Sequence, residues 1–224
     1  SSVNITPVWS LLDVFSKKGL EKFIYFSTIQ VYGSVQGEKV EEQHHLNTQN
    51  AYGLTHHIGE IICEYYNRNS SVTCHIVRLS NSYGAPIFEE NNCWWLVVND
   101  LCRMAYLNYE IVLQSDGSPL RDFIHGWDVC SAVQCIIETK SLHSCFNLSS
   151  GITLSIMDIA LKVQEVYAQR FGKTLQITSA AGGNPPPSTY QIDNSLIRSI
   201  GFEPKWSLND GINDLFDFLE ENKI

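Results

Sequence analysis

Four side chains that could handle an alcohol group occur in the first quarter of the sequence. Ser27 and Thr28 end a short apolar run, and Tyr52 opens the next predicted helix. His56 follows one turn later on the same helix face. Because open α/β sheets bind ligands at the carboxyl ends of their strands, a hydroxyl and a phenol meeting there could hold and deprotonate an alcohol. Judged alone, Tyr52 is more often a core residue, so both interpretations stay open.

The sequence lacks the short motifs of several other site types. None of its 14 glycines forms G-x-G-x-x-G, and no G-x-S-x-G is present. Gly172-Lys173-Thr174 is similar to the end of a P-loop, but Tyr167 stands where the upstream glycine is required, which favours a helix terminus. His44 and His45 lie in a polar loop and are expected to be solvated, and no metal site is predicted.

The apolar pattern predicts the elements that position these residues. Phe23–Thr28 and Thr73–Leu79 are predicted as strands, and their lack of alternation favours a parallel sheet covered on both faces. Ala51–Arg68 is predicted as the helix between them, which completes a right-handed βαβ unit. Its apolar side is assigned to residues 52, 58, 61, 62 and 65. Further helices are predicted at 7–18, 94–107, 128–139, 155–171, 194–199 and 208–221, strands at 111–114, 145–148 and 175–178, and a rigid loop at 182–187. The predicted class is α/β with a helix-rich tail.

Composition limits the classes of partner. The net charge of −9 does not suit nucleic-acid binding, and no apolar run is long enough to cross a membrane. The seven cysteines are scattered without a Cys-x-x-Cys pair, which favours reduced thiols that fill the core of a cytoplasmic protein. No signal peptide is recognised, and the abrupt helical start leads us to expect a preceding segment.

Seven motifs in one order resemble the extended short-chain dehydrogenase/reductase family, in its NAD(P)-dependent nucleotide-sugar epimerase/dehydratase branch. Phe26–Gly33 is similar to its Ser-Ser/Thr-x-x-Val-Tyr-Gly signature, and Ala51–His56 falls where Tyr-x-x-x-Lys is expected. Arg78–Gly84 and Arg121–Val129 resemble Leu-Arg-x-x-Asn-x-Tyr-Gly and Arg-Asp-Phe-Ile-x-x-x-Asp-Val. The remaining similarities are at 4–12, 146–151 and 201–205. Each motif is weak alone, but together they span nearly the whole chain.

The resemblance implies a fold and a division of the chain. The expected fold is the carboxyl-terminal half of a Rossmann-like parallel sheet together with a smaller, helix-rich α+β substrate-binding domain. The expected catalytic part comprises 1–84 and 121–150, and the expected substrate-binding part comprises 85–120 and 151–224. A homodimer is also implied, formed by helices Pro7–Lys18 and Ala51–Arg68, with Phe15, Ile62 and Tyr66 as candidates for the seam.

The resemblance also implies site residues. Catalysis would fall on Tyr52, which moves a hydroxyl proton, on Thr28, which hydrogen-bonds the same oxygen, and on His56 at the family's lysine position. NAD or NADP would contact Ser27, Tyr52, His56 and Leu79, while Asn81 and Arg121 would bind the nucleotide-sugar. The expected activity is epimerisation or 4-ketoreduction, with hydride transfer at a sugar carbon.

Three departures from the family pattern qualify these expectations. His56 replaces the lysine, and an ordinary histidine is only about one-quarter charged at pH 7, so it would promote phenol ionisation less strongly. The glycine-rich first unit is absent, so the sequence would begin about 85–100 residues into the family's pattern, with most of the cofactor site upstream. Ile29 and Gln30 stand where 4,6-dehydratases carry an acidic pair, which argues against sugar dehydration.

Two alternatives remain at the level of sequence. One is a non-catalytic or truncated family member that binds a nucleotide-sugar or a partner chain. The other is an unrelated α/β domain. The base, the sugar and the choice between NAD and NADP do not follow from the sequence.

Overall fold

A computed structural model describes residues 2–35, 37, 39–88, 90–141, 143–180 and 189–222, and the loop predicted at 182–187 lies outside these ranges. The chain forms two compact units. The first comprises 1–80, 130–151 and 190–203, and the second comprises 81–129, 152–189 and 204–224. This division differs from the predicted one, since it assigns 81–84 and 121–129 to the second unit, and 151 and 190–203 to the first. The functional labels given to the two parts stay predictions.

The elements follow the predicted order, with five short strands added. The helices are α1 (Thr6–Phe15), α2 (Ala51–Asn69), α3 (Val97–Asn108), α4 (Gly126–Glu138), α5 (Ile156–Phe171), α6 (Ser195–Arg198) and α7 (Leu208–Glu221). The strands are β1 (Lys22–Thr28), β2 (Lys39–Val40), β3 (Thr73–Leu79), β4 (Asn81–Tyr83), β5 (Glu110–Val112), β6 (Leu120–His125), β7 (Cys145–Leu148), β8 (Thr153–Ser155), β9 (Gln176–Thr178) and β10 (Gln191–Ile192).

A parallel sheet forms the centre of the first unit and confirms the predicted α/β class. Its strand order is β1-β3-β7, and Thr28 pairs with Leu79 at the carboxyl end. A second parallel pair joins β2 to β10. Helices α1 and α2 contribute Leu12, Ile62 and Cys63 to the apolar core beside the sheet, and β3 contributes Cys74 to it.

The predicted apolar face of α2 is wrong in part. Tyr52, Ile61 and Tyr65 are exposed, whereas the face that packs on the sheet includes Gly53, His56, Gly59, Glu60 and Cys63. The helix buries a charged and an imidazole side chain because strand residues supply hydrogen bonds to them, so apolarity alone misplaced the buried face.

The second unit has its own core and short strands. Strand β4 pairs in parallel with β6, β6 pairs antiparallel with β8, and β5 pairs in parallel with β9. The core lies among α3, α5 and α7, and its largest cluster includes Leu101, Val163, Ile212 and Phe216. Five strands were not predicted, namely β2, β4, β6, β8 and β10. Four of them have only two or three residues, too few for an alternating apolar pattern, and β6 lies within the Arg121–Val129 motif.

All seven cysteines are free thiols, but they do not all fill the core. Cys63, Cys74 and Cys102 are buried, whereas Cys130 is exposed, so the prediction of core fillers is wrong for Cys130. Among the described residues, the helices are too short or too polar to span a bilayer.

Candidate active site

The site begins at the carboxyl end of β1. The strand ends at Thr28, and a 3₁₀ turn follows over Ile29–Tyr32. The Thr28 side-chain oxygen accepts a hydrogen bond from the Gln30 main-chain nitrogen at 3.3 Å, so the hydroxyl caps this turn. Thr28 is buried, and its hydroxyl can still donate one hydrogen bond.

The first turn of α2 lies directly against this turn. Asn50 caps α2 by accepting from the Gly53 nitrogen at 2.7 Å, and its amide donates to the Gln30 side chain at 3.0 Å. A Cβ atom at position 53 would lie 2.9 Å from the Gln30 main-chain oxygen, so glycine permits this close approach. Tyr52 therefore lies beside the turn that Thr28 begins, and 51% of its surface is exposed. The core interpretation of Tyr52 is wrong.

His56 is turned into the first unit and is only 9% exposed. The Tyr25 hydroxyl lies 3.3 Å from both the Nδ1 atom and the main-chain oxygen of His56. Burial lowers the pKa of His56, and the Phe26 carbonyl and the charge of Glu60 oppose that effect only in part. The Tyr52 ring meets the imidazole edge-on, with centroids 4.5 Å apart.

A buried ionic network lies one turn further along α2. Glu60 and Arg78 form a two-point ion pair with N–O distances of 2.8 and 3.1 Å. The Ser27 hydroxyl also donates to Glu60, and Arg78 donates to the Tyr32 hydroxyl at 3.0 Å. Burial opposes the charge of Arg78, but the hydrogen bonds to Glu60 more than compensate and raise its pKa. The Tyr32 hydroxyl in turn donates to the Asn147 side chain at 2.6 Å.

The residues predicted to contact the cofactor divide into two groups. The Ser27 hydroxyl and the Nδ1 atom of His56 are engaged inside the unit, whereas Tyr52 and Leu79 keep accessible surface at the carboxyl edge of the sheet. At the same edge, the buried Ser80 hydroxyl finds no hydrogen-bond partner among the residues that the structure describes. Such an orphaned hydroxyl can pair with a polar atom of a bound group. The edge therefore fits part of a dinucleotide through Tyr52, Leu79 and Ser80.

The predicted substrate residues belong to the second unit. The Asn81 amide donates to the Asp122 main-chain oxygen at 2.9 Å and thereby joins β4 to β6. Arg121, the neighbour of Asp122 on β6, is exposed, and its guanidinium donates to the Leu120 carbonyl at 2.7 Å. The structure thus brings Asn81 close to the Arg121 segment.

Sequence reasoning missed Tyr25 and Glu60 as contributors to the site. A usable signal existed for Glu60, because a carboxylate four residues after His56 shares its helix face. No comparable signal marks Tyr25, which is one of several aromatic residues in an apolar strand.

The comparison with known families identifies the class of protein. The sequence model of the NAD dependent epimerase/dehydratase family matches residues 2–148. The chain belongs to this family, as its motifs predicted.

Individual relatives are similar to the chain at low identity. The chain is 24% identical over 217 residues to the low-salt glycan biosynthesis protein Agl12 of Haloferax volcanii, covering 97% of this chain and 67% of that protein. It is 22% identical to a dTDP-glucose 4,6-dehydratase of Streptomyces griseus, covering 93% of this chain and 62% of the relative. A Bacillus cereus UDP-glucuronic acid 4-epimerase, solved with UDP-glucuronic acid and NAD, superposes with a TM-score of 0.79 at 24% identity, covering 98% of this chain and 68% of that one. The chain thus spans about two thirds of the length of these proteins.

Proposed function

We propose that the whole protein is an NAD(P)-dependent nucleotide-sugar epimerase or 4-ketoreductase in which Tyr52 is the acid/base. The observation that carries this proposal is the placement of the first turn of α2 against the turn begun by Thr28. That placement puts the turn that carries the exposed Tyr52 against the turn that Thr28 begins, at the carboxyl edge of a parallel sheet, where such sheets bind ligands.

The protein's part in the reaction is proton handling and orientation. Tyr52 takes the proton from a sugar hydroxyl, or returns it, while Thr28 donates a hydrogen bond to the same oxygen. The nicotinamide, when bound, supplies the two-electron hydride chemistry. An ordinary tyrosine has a pKa of about 10, so activity near pH 7 requires groups that favour the phenolate. His56 supplies less of this than an ordinary histidine would, because burial lowers its pKa.

Most of the dinucleotide site is proposed to lie on residues upstream of this sequence. Among the described strands, β1 pairs only with β3, and Phe26 on β1 is 41% exposed. A further parallel strand beside β1 would cover this ring and extend the sheet. Tyr52, Leu79 and Ser80 would then hold only the nicotinamide end of the cofactor.

Residues beside Thr28 favour epimerisation or reduction over dehydration. Ile29 and Gln30 do not ionise, and the Gln30 side-chain oxygen accepts from Asn50. Water elimination needs an acid and a base at the sugar, and neither residue provides one.

A second candidate function is binding without turnover. It is favoured by the inward orientation of His56, which leaves a buried side chain of lowered pKa at the family's lysine position. The substitution His56→Lys separates the two candidates. A gain of turnover would indicate a site that has lost activity, whereas a loss would indicate that His56 supports the working enzyme.

The proposed catalytic function is tested by substrate conversion. The protein at its full encoded length is mixed with NAD or NADP and a panel of nucleotide-sugars that differ in base and sugar, and the products are analysed by NMR. We expect at least one sugar to be epimerised or reduced. Tight binding of a nucleotide-sugar without conversion would favour the second candidate, and no binding would contradict both.

We also propose a homodimer that pairs α1 and α2. Both helices expose apolar side chains, which are Trp9, Leu11, Val14 and Phe15 on α1 and Leu54, Ile61 and Tyr65 on α2. Trp9 stacks on Tyr65 with ring centroids 5.9 Å apart, so the two helices present one continuous surface. Ile62 and Tyr66, suggested for the seam, are buried in the core instead, whereas Phe15 is exposed.

The substitution Ile61→Arg is expected to convert the dimer to a monomer. It places a charge in the middle of the apolar surface, where burial without a partner is costly. Ile137→Arg is the matched control, because Ile137 is exposed to a similar extent but lies on a different helix, α4. Light scattering gives the mass of each variant. A monomeric unmodified protein, or a dimer that survives Ile61→Arg, would contradict the assignment.

A further inference from the structure

We infer that His56 is a positioning residue that fixes α2 on β1 and does not contact the cofactor. Held by Tyr25, it sets the place of Tyr52 beside Thr28. This inference rests on the proposed catalytic role of Tyr52.

Two polar contacts of the same kind join α2 to β1. Tyr25 and Ser27 are two residues apart on the strand and therefore point to the same face of the sheet. His56 and Glu60 are four residues apart on the helix and share its inward face. Tyr25 bonds His56 at 3.3 Å, and Ser27 bonds Glu60. The pairs form two successive rungs, which together fix both the rotation of the helix and its position along the strand.

A glycine in α2 brings the helix close enough for the first rung. A Cβ atom at position 59 would overlap the Tyr25 phenol, so only glycine leaves room for this hydroxyl beside the helix. The Tyr25 hydroxyl then reaches both Nδ1 and the main-chain oxygen of His56. The strand thus holds the side chain and the backbone of His56 at once.

The imidazole transmits this position to Tyr52. The two rings meet edge-on, with an interplanar angle of 60° and centroids 4.5 Å apart, a favourable aromatic arrangement. The imidazole therefore packs against the Tyr52 ring and restricts its orientation. If His56 rotated outwards, Tyr52 would lose this support and would sample other rotamers.

The same contacts make His56 unsuited to bind a ribose. Its side chain is buried, and Nδ1 is engaged by Tyr25. Turning the ring outwards would leave the Tyr25 hydroxyl without its ring partner in a buried setting, which is unfavourable. Burial also lowers the pKa of His56, so the ring carries less positive charge than an ordinary histidine would.

The test compares Tyr25→Phe, His56→Gln and the double variant in the protein at its full encoded length, with His57→Gln as the matched control. NADH affinity is measured by fluorescence, and kcat and KM are measured with the sugar identified from the panel. We expect each single variant to lower kcat at least about tenfold and the double variant no further, since both substitutions break one rung. The dissociation constant of NADH should change by less than about tenfold and to the same extent in both single variants, because any change acts through Tyr52 and neither substitution removes a direct contact to the cofactor.

A different pattern would overturn the inference. If His56→Gln weakens NADH binding about tenfold or more while Tyr25→Phe does not, His56 is a cofactor ligand. Additive losses of kcat would show that Tyr25 and His56 act separately, which would also contradict the inference.

A second measurement needs no variant to fold. The ¹⁵N shifts of the His56 ring in the unmodified protein report its protonation and hydrogen bonding. We expect a neutral ring at pH 7 whose protonation and hydrogen bonding do not change when NADH is added, and a new hydrogen bond at a ring nitrogen would overturn the inference. Failure of the protein to bind NADH would count against the proposed function instead. In that case, amide hydrogen exchange at residues 51–54 would test whether the Tyr25–His56 contact fixes the start of α2. Tyr25→Phe should accelerate this exchange, and His57→Gln should not.

Discussion

Replacing Tyr52 with Phe is expected to lower kcat by about 10²–10⁴-fold, the usual contribution of a positioned acid or base. The substitution removes only the phenol oxygen and keeps the ring that packs on His56. Because Tyr52 is half exposed, we expect its hydroxyl to contribute little to folding. The dissociation constants of the cofactor and the nucleotide-sugar should therefore change by less than about tenfold.

Tyr65→Phe is the matched control for this experiment. Tyr65 lies on the same helix and is exposed to a similar extent, but it belongs to the apolar surface of α1 and α2. Steady-state kinetics of both variants with the converted nucleotide-sugar give the comparison. Normal turnover by the Tyr52→Phe variant would show that another group moves the proton.

Replacing Arg78 with Met is expected to destabilise the fold by about 3–5 kcal/mol, the cost of leaving a buried carboxylate without its partner. Glu60 is 1% exposed, and Arg78 supplies both of its charged hydrogen bonds. The same substitution removes the hydrogen bonds of Arg78 to the Tyr32 hydroxyl and to the Glu42 carbonyl. Urea unfolding followed by circular dichroism gives the difference in the free energy of unfolding.

Arg68→Met controls for the loss of an arginine. Arg68 pairs with Glu64 at 3.6 Å on the exposed side of α2, where an ion pair contributes about 0–1 kcal/mol. An equal effect of the two substitutions would contradict the structural role given to the buried pair. Restoration of stability by pairing Arg78→Met with Glu60→Gln would support it, since the uncompensated charge is then gone.

The long elements were predictable because their patterns are strong. Strands β3 and β7 have the predicted bounds, and α2 differs from its predicted end by one residue. Asn50 at the cap and the polar residues after α2 mark that helix clearly in the sequence. The motif order was sufficient for the family, because residues at sheet edges and helix starts recur at fixed places along the chain.

The inward face of α2 was not predictable from apolarity. Its sheet-facing positions include Glu60 and His56, while Ile61 and Tyr65 face outwards. The polar side chains at these positions are stabilised by hydrogen-bond partners that lie far along the chain, such as Arg78 on β3. A pattern within one helix carries no information about such partners. For the same reason, the sequence could not predict that the Tyr25 hydroxyl contacts the His56 ring.

The most direct test of the account is a crystal structure of the protein at its full encoded length with NAD and a converted nucleotide-sugar. The decisive quantities are the distances from the Tyr52 and Thr28 side-chain oxygens to the reacting sugar oxygen. We predict that both lie in the hydrogen-bond range of about 2.6–3.2 Å. A sugar bound with its reacting oxygen beyond the reach of Tyr52 would contradict the proposed mechanism.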